Sequence, residues 1–216
     1  MKKNIIVILF FLISCVSTAK IDMLPRNKLI EISKKQKLPY KQILVKWINY
    51  PYSDFHKVNY LEKNIEDIKA VEVDENDYKK LKSKIIKEFR EAGLYDEENG
   101  TGTVKILLTS YGRWSYSELF STYLIDTGYV LILPSSLNVS YKMSVKAQQN
   151  FKEIKFDKEA SIKTTFFFLL FPLYPFSTFS GKEKTIINNL IYQIEDEICK
   201  NQLADFRVRP VRDGLP

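Results

Sequence analysis

The sequence LNVSYKMSVKAQ, residues 137–148, alternates apolar and polar side chains without interruption. The apolar positions are Leu137, Val139, Tyr141, Met143, Val145 and Ala147. Because successive side chains of a strand point to opposite faces, this pattern predicts a β-strand with one face in the core and one in water. A half-exposed strand of this kind is typical of an antiparallel sheet.

A second alternating stretch follows shortly after this strand. Its apolar positions are Ile154, Phe156, Ala160 and Ile162, and charged or polar residues lie between them. Two such strands with a short connection predict a long antiparallel hairpin over about residues 137–166. Further strands are predicted at residues 43–48, 70–73, 103–109 and 129–133, where β-branched and apolar residues cluster.

Two longer helices are predicted from apolar residues at helical spacing. The first, at about residues 77–92, carries the stripe Tyr78, Leu81, Ile85, Phe89 and Ala92. Asp74 or Asn76 can cap its start, and Gly93 follows its end. The second, at about residues 182–203, carries the stripe Ile187, Leu190, Ile191, Ile194 and Ile198.

The spacing of Ser180 and Glu183 predicts a capping box at the start of the second helix. Shorter helices are predicted at residues 58–68 and 116–123. Because an apolar helix stripe needs a sheet to cover it, we expect an α+β fold. The expected architecture is a mostly antiparallel sheet with the helices at 77–92 and 182–203 packed on one face.

The first fifteen residues have the pattern of an export signal. Lys2 and Lys3 precede nine consecutive apolar residues, 5–13, and this run ends at Ser14 and Cys15. Nine residues are roughly half of the ~20 that a membrane-spanning helix needs. We therefore predict a cleaved signal peptide over residues 1–14 rather than a membrane span.

Four residues at the end of this signal, Leu12, Ile13, Ser14 and Cys15, resemble the lipobox of bacterial lipoproteins. The resemblance implies cleavage between Ser14 and Cys15 and a diacylglyceryl group on the Cys15 sulfur. No cofactor other than this covalent lipid is expected. The implied location is a bacterial membrane, with the protein facing the periplasm or the cell surface. The outer membrane is favoured over the inner one, because the residue after the cysteine is Val16 and not an aspartate. The alternative is an ordinary secretory signal with an incidental cysteine.

The chain carries a formal charge of +7, and basic residues are concentrated soon after Cys15. We predict that residues 15–42 form a lipidated N-terminus and basic tether that binds anionic lipid headgroups, or else a solvated linker. Residues 43–206 are then a single α+β domain, and residues 207–216 are a loose basic tail. Nucleic acid is not expected as a partner, because an exported chain does not meet the genome.

The most apolar stretch of the mature chain is residues 166–176. Its apolar side chains are Phe166, Phe167, Phe168, Leu169, Leu170, Phe171, Leu173, Tyr174 and Phe176. Pro172 and Pro175 interrupt any helix there, and eleven helical residues would cover about 17 Å of a ~30 Å hydrocarbon core. The stretch is either a patch for the membrane or another envelope protein, or the buried end of the hairpin with a packed turn.

No sequence pattern predicts a catalytic or metal site. The chain has one histidine, His56, and lacks the G-x-S-x-G motif of a nucleophile elbow. One histidine and the two cysteines do not fill a zinc shell, and a lipid on Cys15 leaves no intramolecular disulfide. The acidic runs at 96–98 and 195–197 could supply an acid pair, although such runs usually form a solvated surface.

These observations predict a non-catalytic binding or structural protein at the membrane surface. The chain also resembles small bacterial envelope lipoproteins, because it has two apolar runs that end in proline, a hairpin between them and a terminal helix. This resemblance assigns no functional residue. One alternative is a lipid-anchored hydrolase that uses carboxylates, which would show a concave pocket with converging acids. Another is a lipid-handling module, which would show a closed apolar cavity.

Overall fold

The computed structural model of the 216-residue chain describes residues 15–24, 38–52, 69–115, 135–149, 152–167 and 177–208. The strands in these ranges are β1 (Cys15–Lys20), β2 (Gln42–Pro51), β3 (Val71–Glu72), β4 (Thr103–Arg113), β5 (Ser135–Gln149) and β6 (Lys152–Phe166). The helices are α1 (Glu75–Glu91) and α2 (Phe179–Val208). The strands form one sheet in the order β1-β6-β5-β4-β2-β3, which confirms the α+β class.

The alternating stretch at 137–148 forms most of β5. Its six apolar side chains are at most 6% exposed, so the predicted core face is confirmed. β5 pairs antiparallel with β6 from Ser135 opposite Phe166 to Gln149 opposite Lys152. Residues 150 and 151, between the two strands, lie outside the described residues.

The sheet is mixed, because β2 and β4 run parallel while the other paired strands are antiparallel. Parallel neighbours need a long connection that returns the chain to the same end of the sheet. Here β3 and α1 lie in the sequence between β2 and β4. The mostly antiparallel character is confirmed, whereas the parallel pair was not predicted.

Helix α1 has the capping residue and the following glycine that the sequence predicts, and its bounds lie within two residues of the predicted 77–92. The Asp74 carboxylate accepts a hydrogen bond from the backbone N–H of Asn76 at 2.9 Å and caps the first turn. After Glu91 the chain turns through Gly93, whose φ of 69° is a left-handed conformation that favours glycine. The helix buries Leu81, Ile85 and Phe89.

Helix α2 begins earlier than predicted, and the predicted capping box is wrong. Thr178 Oγ1, not Ser180, accepts from the backbone N–H of Gly181 at 3.2 Å. The Glu183 carboxylate does not return to the helix start; it contacts Arg113 on β4. The helix continues to Val208, beyond the predicted end at 203.

Both helices contribute to the core of the sheet. One hydrophobic cluster joins buried residues of α1, α2 and strands β2, β4, β5 and β6; from α2 it includes Ile186, Leu190, Ile191, Ile194, Ile198 and Cys199. The sheet face opposite to this core carries exposed lysines such as Lys105 and Lys146, which lie beside each other on β4 and β5. The predicted helices at 58–68 and 116–123 and the strand at 129–133 lie outside the described residues.

Candidate functional site

The predicted lipidation residue, Cys15, is the first residue of β1. Its backbone lies opposite Phe166 on β6, and Phe166 lies opposite Ser135 on β5. The carboxyl end of β4, at Arg113, lies at this same end of the sheet, because Tyr111 is paired with Ser140. We call this region, with Cys15, Arg113, Ser135 and Phe166, the Cys15 end. Ser14, on the other side of the predicted cleavage point, lies outside the described residues.

Strand β1 is fixed to the sheet and to the segment before α2. The buried Ser17 hydroxyl hydrogen-bonds to that of Thr164 at 2.8 Å, and the Ser17 backbone N–H donates to the Ser177 carbonyl at 2.9 Å. Further along, Gln193 of α2 donates to the Asp22 carbonyl at 2.7 Å. The structure therefore differs from the sequence prediction for residues 15–42: the first six of them form a strand.

The predicted apolar patch is divided by the structure. Phe166 belongs to the core, where its ring lies 6.0 Å from that of Trp114, so it is not part of an exposed patch. Trp114 in turn stacks on Phe179 at the start of α2, with ring centroids 4.3 Å apart. Phe167 is half-buried. The other predicted members, Phe168, Leu169, Leu170, Phe171, Leu173, Tyr174 and Phe176, lie outside the described residues.

A second candidate site, not predicted from the sequence, is a cleft of about 430 Å³ between α1 and α2. Its apolar surface includes Trp47 on β2, Leu81 on α1 and Ile187 on α2. Charged side chains from α1, β4 and α2 complete the lining. This volume lies within the range of roughly 300–1,000 Å³ that is usual for small-molecule sites.

Arg113 is the centre of the charged part of this cleft. Its Nε donates to Glu183 Oε1 at 2.7 Å, and its Nη2 donates to Asp77 Oδ2 at 2.7 Å and to Glu183 Oε2 at 3.3 Å. The Tyr141 hydroxyl donates to Glu183 Oε1 at 2.6 Å. The guanidinium carbon lies 5.1 Å from the centroid of the Trp47 ring, within cation–π range.

Burial and charge pairing shift the pKa values of Arg113 and Tyr141. Burial by itself would lower the pKa of Arg113, but the hydrogen bond and negative charge of Glu183, together with Asp77, raise that pKa above its usual value. Burial and the nearby Glu183 charge raise the pKa of the Tyr141 hydroxyl well above 10. At neutral pH Arg113 is therefore a fixed cation and Tyr141 a fixed hydrogen-bond donor, and both carboxylates of the cluster are occupied as acceptors.

Three lysines also line the cleft: Lys80 and Lys84 on α1, and Lys184 on α2. Lys80 is 3.8 Å from Asp77. Within the part of the chain that the structure describes, neither Lys84 nor Lys184 takes part in an ion pair. The lining of the cleft is therefore basic, because both of its carboxylates are paired with Arg113.

This cluster has only a weak signal in the sequence. Arg113 lies four residues beyond the strand predicted at 103–109, and Glu183 has the spacing of a helix cap, so neither residue has a local pattern that indicates an ion pair. The two are 70 residues apart, and their contact depends on how α2 crosses the sheet. No local periodicity encodes that contact.

The remaining candidate residues do not assemble a catalytic or metal site in the described residues. His56 lies outside them, and within them no group of three His, Cys, Asp or Glu side chains is placed to hold a metal ion. The Asp96 carboxylate accepts from the backbone of Glu98 and Asn99 and stabilises a turn. On α2, Glu197 pairs with Lys158 at 3.0 Å.

Among the residues that the structure describes, no helix is both long enough and apolar enough to cross a membrane. Comparison of the chain with protein-family models, with curated proteins and with solved structures finds no match.

Proposed function

We propose that this protein is a lipid-anchored bacterial envelope lipoprotein with a non-catalytic binding role at the membrane surface. The observation that supports this most directly is the position of Cys15, which is both the last residue of the lipobox-like sequence and the first residue of β1. Cleavage after Ser14 would remove the leader at the point where the sheet begins. The covalent lipid would then be attached to the strand itself.

This arrangement leaves no spacer between the lipid and the domain. Ser17, two residues after Cys15, is already buried and hydrogen-bonded to β6. At about 3.3 Å per residue, the first buried side chain would lie within roughly 10 Å of the anchor. The Cys15 end of the sheet would therefore be held at the bilayer, with the predicted long hairpin (about 137–166) extending away from it and the helices covering one face.

The apolar runs of the sequence support the same orientation. The run at 129–133 precedes Ser135, and the run at 166–176 begins at Phe166, so both connect to the described sheet at the Cys15 end. Membrane lipids with anionic headgroups, or another envelope protein, are the partners that this end would meet, and the outer membrane is the favoured location. Both carboxylates of the interhelical cleft are occupied by Arg113, which favours binding over acid–base catalysis.

The anchor is tested by labelling and fractionation in a bacterial host. We expect the wild-type chain and a Cys199→Ser control to incorporate radiolabelled palmitate and to remain with the membranes. A Cys15→Ser variant should do neither, because one thiol carries the diacylglyceryl group and two or more acyl chains are needed for stable anchoring. Labelling of the Cys15→Ser variant at the wild-type level would refute the proposal.

The orientation is tested with fluorophores at the two ends of β5. Ser136 and Gln148 are both exposed and twelve residues apart, so labels on cysteines at these positions differ in distance from the Cys15 end by roughly 40 Å. Nitroxide lipids should quench the Ser136→Cys label strongly and the Gln148→Cys label weakly. Equal quenching of both labels would contradict the direct attachment of the domain to its anchor.

A further inference from the structure

We propose that the cleft between α1 and α2 is a binding site for one phosphate-bearing group, with Lys84 and Lys184 supplying its positive charge. The lining of the cleft is positively charged. Four basic side chains (Lys80, Lys84, Arg113 and Lys184) face two acidic ones (Asp77 and Glu183), which leaves a surplus of two positive charges.

The ion pairs within the cleft leave two of its positive charges available. Both carboxylates accept hydrogen bonds from Arg113 at 2.7 Å, so their negative charge is already paired. Of the ion pairs formed by described residues, none includes Lys84 or Lys184. A phosphate oxygen between these two ammonium groups would accept charge-assisted hydrogen bonds from both helices.

The two helices run in the same direction beside the cleft. Each begins near Arg113, since Asp77, the third residue of α1, and Glu183, the fifth residue of α2, both bind that residue. Each ends near the start of β2, where Tyr40 N–H donates to the Leu94 carbonyl and Gln202 donates to the Leu38 carbonyl. The positive ends of both helix dipoles therefore lie at the part of the cleft that Arg113 occupies.

Two sources could supply the phosphate: the headgroup of an anionic phospholipid or a soluble phosphate ester. The cleft is nearer to the Cys15 end than to the opposite end of the sheet, because Arg113 is part of the Cys15 end. The lipid headgroup is therefore the favoured source, and this choice depends on the proposed anchor. The phosphate chemistry of the cleft does not depend on it.

Calorimetric titration of the full chain in neutral detergent with glycerol 1-phosphate tests the site, with sodium chloride at matched ionic strength as the blank. We expect saturable binding that weakens on the order of tenfold or more in the Lys84→Gln/Lys184→Gln double variant, because two charge-assisted contacts are lost. The matched control is Lys105→Gln/Lys146→Gln, which removes the same charge from the opposite sheet face and should change the affinity less than about twofold. Absence of saturable binding, or an equal loss in both double variants, would overturn the proposal.

The source is distinguished by repeating the titration with the chain reconstituted into phosphatidylcholine vesicles with and without phosphatidylglycerol. Weaker apparent affinity for glycerol 1-phosphate in the phosphatidylglycerol vesicles identifies the lipid headgroup as occupant, and unchanged affinity identifies a soluble ester. The Cys15→Ser variant in detergent should bind glycerol 1-phosphate as the wild type does. The two proposals therefore fail separately: a wrong anchor is shown by palmitate labelling of the Cys15→Ser variant, and a wrong phosphate site by the absence of saturable glycerol 1-phosphate binding.

Discussion

Replacement of Arg113 by methionine tests whether the charged cluster holds α1 and α2 on the sheet. The substitution keeps an aliphatic side chain over Trp47 but leaves the Asp77 and Glu183 carboxylates without their shared cation. The Glu183 side chain is 13% exposed and that of Asp77 is 32% exposed, so water compensates only in part. Removal of one partner from a buried ion pair costs roughly 3–5 kcal/mol.

Partial exposure places the expected loss in the free energy of unfolding at about 3 kcal/mol, near the lower end of that range. For a domain of about this size, the loss corresponds to a decrease in Tm of roughly 6–12 °C. Urea unfolding followed by far-ultraviolet circular dichroism measures it, provided that the m-values of wild type and variant agree.

Arg90→Met is the matched control. Arg90 is exposed on α1, and its described contact is a cation–π interaction with Tyr95 at 5.6 Å, so its replacement should cost less than about 1 kcal/mol. In a double-mutant cycle, the second substitution Glu183→Met should cost less in the Arg113→Met background than in the wild type, by on the order of 2 kcal/mol. A loss below about 1 kcal/mol for Arg113→Met, or no coupling in the cycle, would refute the reasoning.

Two further outcomes follow from the structure. Gly100→Ala should lower the free energy of unfolding by roughly 2–4 kcal/mol, because the added Cβ would overlap the backbone of Tyr40 and Asp96. Gly93→Ala should lower it by only about 1 kcal/mol, because the space around Gly93 is open and only its φ of 69° is unfavourable for alanine. Urea unfolding of both variants compares them, and equal losses would contradict the close packing at Gly100. The native state holds the Tyr141 proton more tightly than the unfolded chain, in which the pKa of tyrosine is about 10. The free energy of unfolding should therefore decline above about pH 10, by up to roughly 1.4 kcal/mol per pH unit. Tyr141→Phe should remove that contribution. Unfolding measured at about pH 9 and 11 checks this, and an identical decline in the variant would argue against it.

The elements that the sequence predicted well are those with a local signal. The alternation at 137–148 has a period of two that no helix can satisfy, and β5 buries the predicted side chains. The helical spacing of Tyr78, Leu81, Ile85 and Phe89 likewise predicted α1, and Asp74 and Gly93 predicted its ends. In these stretches, neighbouring residues carry all the information that the local structure needs.

Strand β1 shows why other elements escaped prediction. Its most buried residue is Ser17, a small polar residue whose hydroxyl is satisfied by Thr164 on β6. Hydrophobic alternation cannot detect such a strand, because its burial depends on a partner 147 residues away. The same limit applies to the parallel pairing of β2 and β4, since side-chain alternation defines the faces of a strand but not the direction of its neighbour.

By itself, the sequence determined the α+β class, the core faces of β5 and α1, and a lipobox-like segment that ends at Cys15. Only the tertiary structure decided that Cys15 begins a strand at the same end of the sheet as Arg113, and that Arg113, Asp77, Glu183 and Tyr141 meet between two helices. The physical reason is the range of the interactions. Backbone periodicity and caps act over a few residues, whereas an ion-pair cluster requires side chains from distant segments, which packing alone brings together.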